Sequence, residues 1–248
     1  MIDSTSPKLR KFLEPIPLLL LLLLHGFIYN EIGELSAARG EDFGPLVQTP
    51  WDTSVPFLPI FVLAYLFAWG FPAMLIGYLL FATDTNPKVF RITFVAQLAL
   101  MVTCYALWVT FPVNFTLTVD DAGLAAKGWL GQWVAFNYDI ASDWNACPSF
   151  HVAGPWFLYR TTKIIAPGLP KVFLVIVLAI CASTVLIRIH FLLDIPGGLL
   201  ISEAAIRLVF KPLWKRRSFE NVSAKTMWIS SAGILAVGWM GYAFLVSR

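Results

Sequence analysis

The sequence contains three histidines, and two of them, His151 and His190, lie in short polar stretches between long apolar segments. Asp194 follows His190 by four residues, and on a continuous helix two residues at that spacing share a face. A carboxylate so placed can accept the Nδ1 proton of the imidazole, which fixes the tautomer and leaves Nε2 free as a nucleophile. It would also stabilise the imidazolium that forms when the nitrogen attacks phosphorus. The spacing therefore indicates that His190 is a nucleophile and that Asp194 orients it.

The second histidine has the surroundings of a proton donor. His151 follows Pro148-Ser149 and is predicted to lie in the first turn of a helix, where free backbone N–H groups and the helix dipole favour an anion. A protonated imidazole there could donate its proton to a departing alkoxide. Ser149 adds a hydroxyl donor, and Arg188 is the nearest cation. Positioning, positive charge, a nucleophile and an acid are what phosphoryl transfer needs.

Two other interpretations use the same residues. The histidines could be structural residues at a membrane surface, hydrogen-bonded to water and backbone. Alternatively, Cys147, His151, His190 and Asp194 are all residue types that zinc accepts as ligands. Because ionisable groups at membrane depth are costly and usually mark function, we favour catalysis. We expect no metal and no organic cofactor, since His190 supplies the covalent step.

The composition indicates what must position these residues. The chain of 248 residues is 58% hydrophobic and 13% charged, with mean hydropathy +0.73, whereas soluble domains are about 45–50% apolar and about 25% charged. Several apolar segments approach the roughly 20 residues that span a bilayer. Such segments are helical because lipid offers the backbone no hydrogen-bond partner. We predict a single membrane domain, 1–248. Its fold is an all-α polytopic transmembrane bundle with six core helices and one additional C-terminal helix. The predicted helical segments are 15–32, 56–82, 92–112, 149–166, 171–189, 193–210 and 226–246.

The distribution of Lys and Arg predicts the orientation of the bundle. If the N-terminus is cytoplasmic and the segments alternate, only Arg39, Lys127, Arg188 and Arg248 of the 18 Lys and Arg residues fall on the outer side. Cytoplasmic loops of membrane proteins carry this excess of positive charge. The loop 113–148 and both histidine motifs are therefore predicted to lie on the periplasmic, extracellular or luminal side.

The first apolar segment, the net charge and the cysteines give no sign of a cleaved signal peptide, a nucleic-acid partner or a disulfide framework. The segment 15–32 follows three basic residues and resembles a secretory signal peptide, but no compact A-x-A site follows the leucine run, so we predict a retained helix. The net charge of +3 is distributed over loops and forms no patch, and we expect no nucleic-acid partner. Three widely spaced cysteines indicate no disulfide framework.

Both histidine motifs resemble those of a known family. Asn145-Ala-Cys-Pro-Ser-Phe-His151 resembles the second motif, Pro-Ser-x-His, of the type 2 phosphatidic acid phosphatase superfamily. The stretch from Ser183 to Asp194 resembles the third motif, a Ser followed by His-x-x-x-Asp. The residues of both motifs are most similar to those of the inositolphosphotransferase-like branch. The same is true of Trp51-Asp-Thr-Ser-Val-Pro-Phe-Leu-Pro59. The resemblance covers 50–210, the predicted phosphatidic acid phosphatase-like catalytic core.

The resemblance implies a role for each motif residue. His190 would form the phosphohistidine, Asp194 would orient it, and His151 would protonate the leaving group. Ser149, Ser183 and Arg188 would bind the phosphate.

The sequence also departs from the family pattern. Thr184 stands where the third motif usually has Arg, and Arg188 is the residue that can substitute for it. The first motif, in which six residues separate Lys from Arg-Pro, is missing. Lys88 and Arg91 are predicted on the opposite face, which leaves Lys127 as a weak candidate for phosphate binding.

These features predict an integral membrane lipid phosphate phosphatase or phosphotransferase. Its partner would be a membrane lipid phosphate, and a headgroup alcohol is a possible acceptor, because hydrolysis and transfer share the covalent step and differ in what takes the phosphoryl group. The main alternative is a transferase that acts on inositol or another headgroup. A lipid transporter or scramblase is a second alternative, but such proteins usually contain repeats, and none is visible here. The sequence assigns neither the lipid nor the oligomeric state.

Overall fold

The computed structural model describes residues 6–217 and Met227. Over this range the chain is helical, and its one β contact is an isolated bridge between Val113 and Asn145. The predicted all-α class is confirmed, whereas the predicted helix 226–246 lies outside the described residues apart from Met227. The helices are α1 (Pro7–Leu13), α2 (Ile16–Arg39), α3 (Gly44–Val47), α4 (Val62–Phe67), α5 (Phe71–Phe81), α6 (Val89–Thr110), α7 (Asp121–Ala125), α8 (Gly128–Ile140), α9 (Phe150–Ile165), α10 (Val172–Leu186), α11 (Asp194–Ala205) and α12 (Lys211–Lys215).

Among the described helices, two are long and apolar enough to cross a membrane, namely Lys8–Arg39 and α6. A third span results if α4 and α5 are counted together with the 3-10 turn Pro59–Phe61 that precedes them. The helix α10 is apolar but shorter, with 15 residues. By length and composition these helices are consistent with a membrane protein, and the count of six plus one remains a prediction.

The second predicted segment, 56–82, is a single helix in the sequence analysis and two helices in the structure. The two parts, Pro59–Phe67 and Phe71–Phe81, are bent by 46°. Pro72 lies in the first turn of α5, and its missing N–H cannot continue the hydrogen-bond ladder from the preceding turn. The chain therefore breaks at Gly70, and the bend turns α4 toward the end of the bundle where the histidines lie.

The helices α2 and α6 run parallel to one another. Near their first residues, Glu14 forms an ion pair with Arg91, and near their last residues the Ser36 hydroxyl lies 3.5 Å from the Trp108 carbonyl oxygen. Parallel packing requires the chain between them to return across the bundle, and α4 and α5 make that return. The order of directions thus agrees with the alternation that the sequence analysis assumes.

The ion pair corrects one assignment. The sequence analysis counts Arg91 among the charges of an inner loop, but Arg91 lies within α6 and is buried with Glu14. The guanidinium Nε lies 2.8 Å from one carboxylate oxygen, and Nη2 contacts the other. A buried arginine is tolerated where a carboxylate contacts two of its guanidinium nitrogens, because this geometry compensates part of the lost hydration. Arg91 thus ties α6 to the start of α2.

The helix α9 lies in the centre and packs against α5, α6, α10 and α11. Three polar contacts between side chains and their partners tie it to α11. The hydroxyl of Ser202 donates to the carbonyl oxygen of Ala153, and the carboxylate of Glu203 lies 2.8 Å from Nε of Arg160 and accepts the indole N–H of Trp156 at 3.2 Å. These contacts fix the two helices that begin at the histidine motifs.

A glycine allows α9 and α11 to approach closely at their first turns. A Cβ added to Gly198 would lie 2.7 Å from the carbonyl oxygen of Ser149 and 3.0 Å from Cβ of Val152. Only glycine fits this contact without a shift of one helix. The close approach places the start of α9 beside the start of α11, where the functional residues lie.

Candidate active site

His190 lies on the turn between α10 and α11, and Asp194 is the first residue of α11. The ring Nδ1 is 3.0 Å from Oδ2 of Asp194 and 2.8 Å from the carbonyl oxygen of Ala146. Because both neighbours are acceptors, Nδ1 carries the proton, and Nε2 of the neutral ring has its lone pair free. His190 is 5% exposed and Asp194 is fully buried. The structure therefore gives His190 the tautomer that a nucleophile needs.

The two residues meet through a turn, whereas the sequence analysis assumed one continuous helix. The helix α10 ends at Leu186, and the carboxylate of Asp194 reaches back to accept the N–H of Phe191 at 2.9 Å. Arg188 adopts a left-handed conformation with φ 55°, which reverses the chain after α10. The pairing of His190 with Asp194 is thus made by the turn, and the carboxylate holds both the ring and the backbone beside it.

His151 lies in the first turn of α9 and faces His190. The ring centroids of the two histidines are 6.4 Å apart. At this separation one phosphoryl group can lie within hydrogen-bond or bonding reach of both rings. The His151 ring stacks on Tyr65, with centroids 4.0 Å apart and planes inclined by 20°. In the part of the chain that the structure describes, no protein group forms a hydrogen bond with this ring, so its nitrogens are available to a substrate.

Among the described residues of the histidine motifs, two buried hydrogen-bond donors have no hydrogen-bond partner. They are Oγ of Ser149, which precedes α9, and Nε of Arg188. A buried donor without a partner costs roughly 1–3 kcal/mol, so such groups usually have a ligand or an ordered water. A phosphate oxygen would satisfy either donor, and the free N–H groups at the start of α9 favour the same anion.

The structure does not bring all candidate phosphate ligands together. The hydroxyl of Ser183 donates to the carbonyl oxygen of Ile180 at 2.6 Å, so its hydrogen is used within α10. Lys127 lies exposed at the start of α8, and over the described residues no hydrogen bond or ion pair links it to either histidine. Ser149 and Arg188 are therefore the better-placed candidates.

The zinc alternative finds no support in the described part of the chain, where no three His, Cys, Asp or Glu residues are placed to hold a metal ion. Burial raises the pKa of the Cys147 thiol, and the neighbouring Asp194 carboxylate raises it further. Without a cation beside it, the Cys147 thiol is therefore harder to ionise than a free cysteine.

Two residues near the histidines were not singled out by the sequence analysis. Asp52 is 6% exposed and accepts the N–H of Leu192, two residues after His190. Tyr65 is buried and supplies the ring on which His151 stacks. The stretch from Trp51 to Pro59 resembled the corresponding residues of the inositolphosphotransferase-like branch, but this resemblance assigned no role to Asp52. An aromatic residue in an apolar helix gives no signal at all.

A cavity of about 500 Å³ adjoins His151. It lies between α2, α4, α5, α8 and α9, and its wall is mainly hydrocarbon. The lining residues Leu23, Trp69 and Ile140 have large exposed side chains, so the cavity opens on the side of the bundle. Other lining residues are Leu19, Leu22, Ala73, Phe150 and Leu158.

The fold and the site define the class of protein as an all-helical chain with membrane-type helices and a paired-histidine site. A family model described as the PAP2 superfamily matches residues 30–208, which is well over half of the chain. The chain therefore belongs to the PAP2 superfamily, and the predicted relationship to the type 2 phosphatidic acid phosphatases is confirmed. The match does not distinguish the inositolphosphotransferase-like branch, which remains a prediction. The comparisons with curated proteins and with solved structures returned no match.

Proposed function

We propose that this protein cleaves a phosphate ester of a membrane lipid through a phosphohistidine on His190. Membership of the PAP2 superfamily supports phosphatase-type or phosphotransferase-type chemistry. The observation that carries the proposal is the pairing of two unlike histidines. Nδ1 of His190 lies between two acceptors, whereas His151, 6.4 Å away between ring centroids, has no hydrogen-bond partner among the described residues.

The first half-reaction forms the phosphohistidine. Nε2 of His190 attacks phosphorus, the nitrogen–phosphorus bond forms, and the bond from phosphorus to the ester oxygen breaks on the opposite side. His151 gives its proton to the departing oxygen, so the leaving group departs as a neutral alcohol. The positive charge that develops on the His190 ring is stabilised by the Asp194 carboxylate and the Ala146 carbonyl oxygen, both of which contact Nδ1.

The second half-reaction releases phosphate. Water attacks phosphorus from the side that the alcohol has left, and His151 accepts the proton of that water. The nitrogen–phosphorus bond then breaks and returns the electron pair to Nε2 of His190. Ser149 and Arg188 would bind the phosphoryl oxygens through both steps, because their buried donors lack other partners among the described residues.

The cavity beside His151 supports a lipid as the leaving alcohol. The general acid must contact the leaving oxygen, so the rest of the alcohol extends on the same side as His151. The wall there is mainly hydrocarbon, which favours an alkyl chain over a water-soluble alcohol. The substrate is therefore a lipid phosphate whose phosphate group lies at the N-terminal ends of α9 and α11.

A phosphotransferase is the second candidate function. An alcohol that enters the cavity after the first product has left can attack the phosphohistidine in place of water. The same cavity is thus compatible with hydrolysis and with transfer. The resemblance of the histidine motifs to those of the inositolphosphotransferase-like branch favours transfer. A headgroup alcohol such as inositol and a lipid alcohol are both acceptors to test.

The orientation belongs to the same proposal. The Lys and Arg distribution favours a cytoplasmic N-terminus, and the parallel packing of α2 and α6 is consistent with alternating spans. The active site would then lie on the periplasmic, extracellular or luminal side.

The experiment that tests the function is product analysis with purified protein in detergent. We would incubate it with a panel of lipid phosphates and phosphodiesters, with and without inositol, and identify the products by mass. Release of phosphate or transfer of a phosphoryl group, together with an acid-labile phosphoryl label on His190, is the expected result. A transporter would release no phosphate in detergent, and a label that persists in His190→Ala would contradict the assigned nucleophile.

A further inference from the structure

The segment 49–58, which precedes α4, contacts the catalytic turn 186–192 at three points. The N–H of Leu58 donates to the carbonyl oxygen of Leu186 at 2.8 Å. Nη2 of Arg188 donates to the carbonyl oxygen of Val55 at 3.1 Å. The N–H of Leu192 donates to Oδ1 of Asp52 at 2.6 Å. The first two contacts end on backbone carbonyl groups, so the third is the one that depends on the identity of a side chain in this segment.

The Asp52 carboxylate is itself fixed by hydrogen bonds from its own segment. Its second oxygen accepts the N–H of Thr49 at 2.6 Å and the hydroxyl of Thr49 at 2.7 Å. The carboxylate is buried, and across the described residues no Lys or Arg forms an ion pair with it. Its charge is therefore compensated by hydrogen bonds, and hydrogen bonds to an ionised acceptor are stronger than those between neutral groups.

Two carboxylates hold consecutive peptide groups immediately after the nucleophile. Asp194 accepts the N–H of Phe191, and Asp52 accepts the N–H of Leu192. Asp194 also contacts the ring of His190, whereas the contact of Asp52 with the catalytic turn is to the Leu192 backbone N–H. The peptide groups that follow His190 are thus fixed from two sides, by α11 and by the segment before α4.

We propose that Asp52 is a positioning residue for His190, and that it acts through the Leu192 N–H; this inference rests on the proposed function. Without that contact, the turn can move away from α9, and Nε2 loses its alignment with the phosphorus atom. A displacement of about 1 Å at a reacting group can cost roughly 10²-fold in rate. Because Asp52 does not touch the substrate, its loss leaves substrate binding nearly unchanged.

The test compares Asp52→Ala with Asp42→Ala. Asp42 is the control, because its Oδ1 also joins the backbone of its own segment to a distant one: it accepts the N–H of Gly44 at 2.7 Å and that of Asn114 at 3.0 Å, although Asp42 is exposed. Among the described residues, its hydrogen bonds reach no residue of the catalytic turn. In Asp52→Ala we expect kcat to fall roughly 10²-fold with little change in KM, and Asp42→Ala to retain wild-type kcat.

The loss should have the signature of a misplaced nucleophile. The fold-decrease in kcat should be the same for a lipid phosphate and for nitrophenyl phosphate, since both need His190. The single-turnover rate of phosphohistidine formation should fall by the same factor. Asp52→Asn should recover part of the rate, because its amide oxygen still accepts the Leu192 N–H. Thr49→Val, which removes one support of Asp52, should give a smaller loss of the same kind.

The outcomes separate this inference from the proposed function. An active wild type with a phosphohistidine, in which Asp52→Ala loses no more than Asp42→Ala, would overturn the inference alone. A loss confined to KM, or one without any recovery in Asp52→Asn, would also overturn it. Should Asp52→Ala fail to fold, the Asn and Val variants carry the same comparison. A wild type that releases no phosphate and forms no phosphohistidine would overturn both.

Discussion

His151 and His190 differ in what holds each ring. The His190 ring is fixed by two acceptors at Nδ1, so its tautomer and its direction are set before any substrate binds. The His151 ring is held by stacking on Tyr65 and by the edge of Trp69, and neither contact restricts its proton. A nucleophile needs a fixed lone pair, whereas a general acid must lose and regain a proton in each turnover. The unlike supports therefore suit unlike roles.

This difference can be measured with two substrates. His151→Ala should reduce kcat/KM for a lipid alkyl phosphate by about 10²–10⁴-fold, the usual contribution of general acid catalysis. It should reduce kcat/KM for nitrophenyl phosphate much less, because that leaving group needs little protonation. His190→Ala is the control and should be inactive on both. An equal loss of kcat/KM on both substrates in His151→Ala would make His151 a phosphate ligand and not an acid.

At this scale the sequence pointed to the residues that we propose to act, but not to those that support them. His151, His190 and Asp194 stand in recognisable short motifs. Asp52 and Leu192 are separated by 140 residues, and their contact exists only because α4 packs beside α10. The same holds for Tyr65 and His151. A contact between distant segments leaves no local pattern, so spacing rules could not find it.

The helices themselves were predicted well where hydropathy and helix coincide. The third segment, 92–112, is α6 at Val89–Thr110. Elsewhere helices continue beyond the apolar segment, because hydropathy marks the lipid boundary and not the end of the hydrogen-bond ladder. The first helix extends to Arg39, and α11 continues through a π-helical turn, Ile206–Phe210, into α12. The break at Gly70 was missed because membrane helices often tolerate proline and glycine.

At the scale of elements, the close approach of α9 and α11 is the contact to test. Gly198→Ala should destabilise the protein by about 1–3 kcal/mol, because its Cβ would lie 2.7 Å from the Ser149 carbonyl oxygen. It should also lower kcat, since the shift moves Ser149 relative to Asp194. Gly77→Ala in α5 is the matched control, because its Cβ would meet no atom within 4 Å. Thermal midpoints in detergent and phosphate release would measure both effects, and equal midpoints would contradict the packing argument.

The whole molecule has two chemically unlike ends. One contains the histidines, the turn before α11 and the helix α8, which exposes Trp129, Trp133 and Phe136. The other contains the buried pair of Glu14 and Arg91 and the basic end of α12. Aromatic residues are enriched at membrane interfaces, and basic residues at the cytoplasmic side.

Labelling in intact cells tests this orientation. A cysteine introduced at Asp139, in α8, should react with an impermeant thiol reagent from outside, and one introduced at Arg216 should not. The parent chain is the control, because Cys104 and Cys181 are buried and Cys147 is partly buried. Labelling of Arg216→Cys alone would place both histidine motifs in the cytoplasm.

The side opening of the cavity has a kinetic consequence. If the chain is embedded in lipid as proposed, an alcohol released beside His151 would leave through the side opening of the cavity, where Leu23 and Trp69 are exposed, and would reach lipid without crossing water. Turnover in mixed micelles should therefore follow the mole fraction of substrate in the micelle, and diluting that fraction with detergent should slow it at constant bulk concentration. A rate that follows bulk concentration alone would mean that substrate arrives through water. For a cavity that opens toward lipid, we expect the concentration of substrate within the micelle or membrane, and not its total amount in the assay, to set the rate.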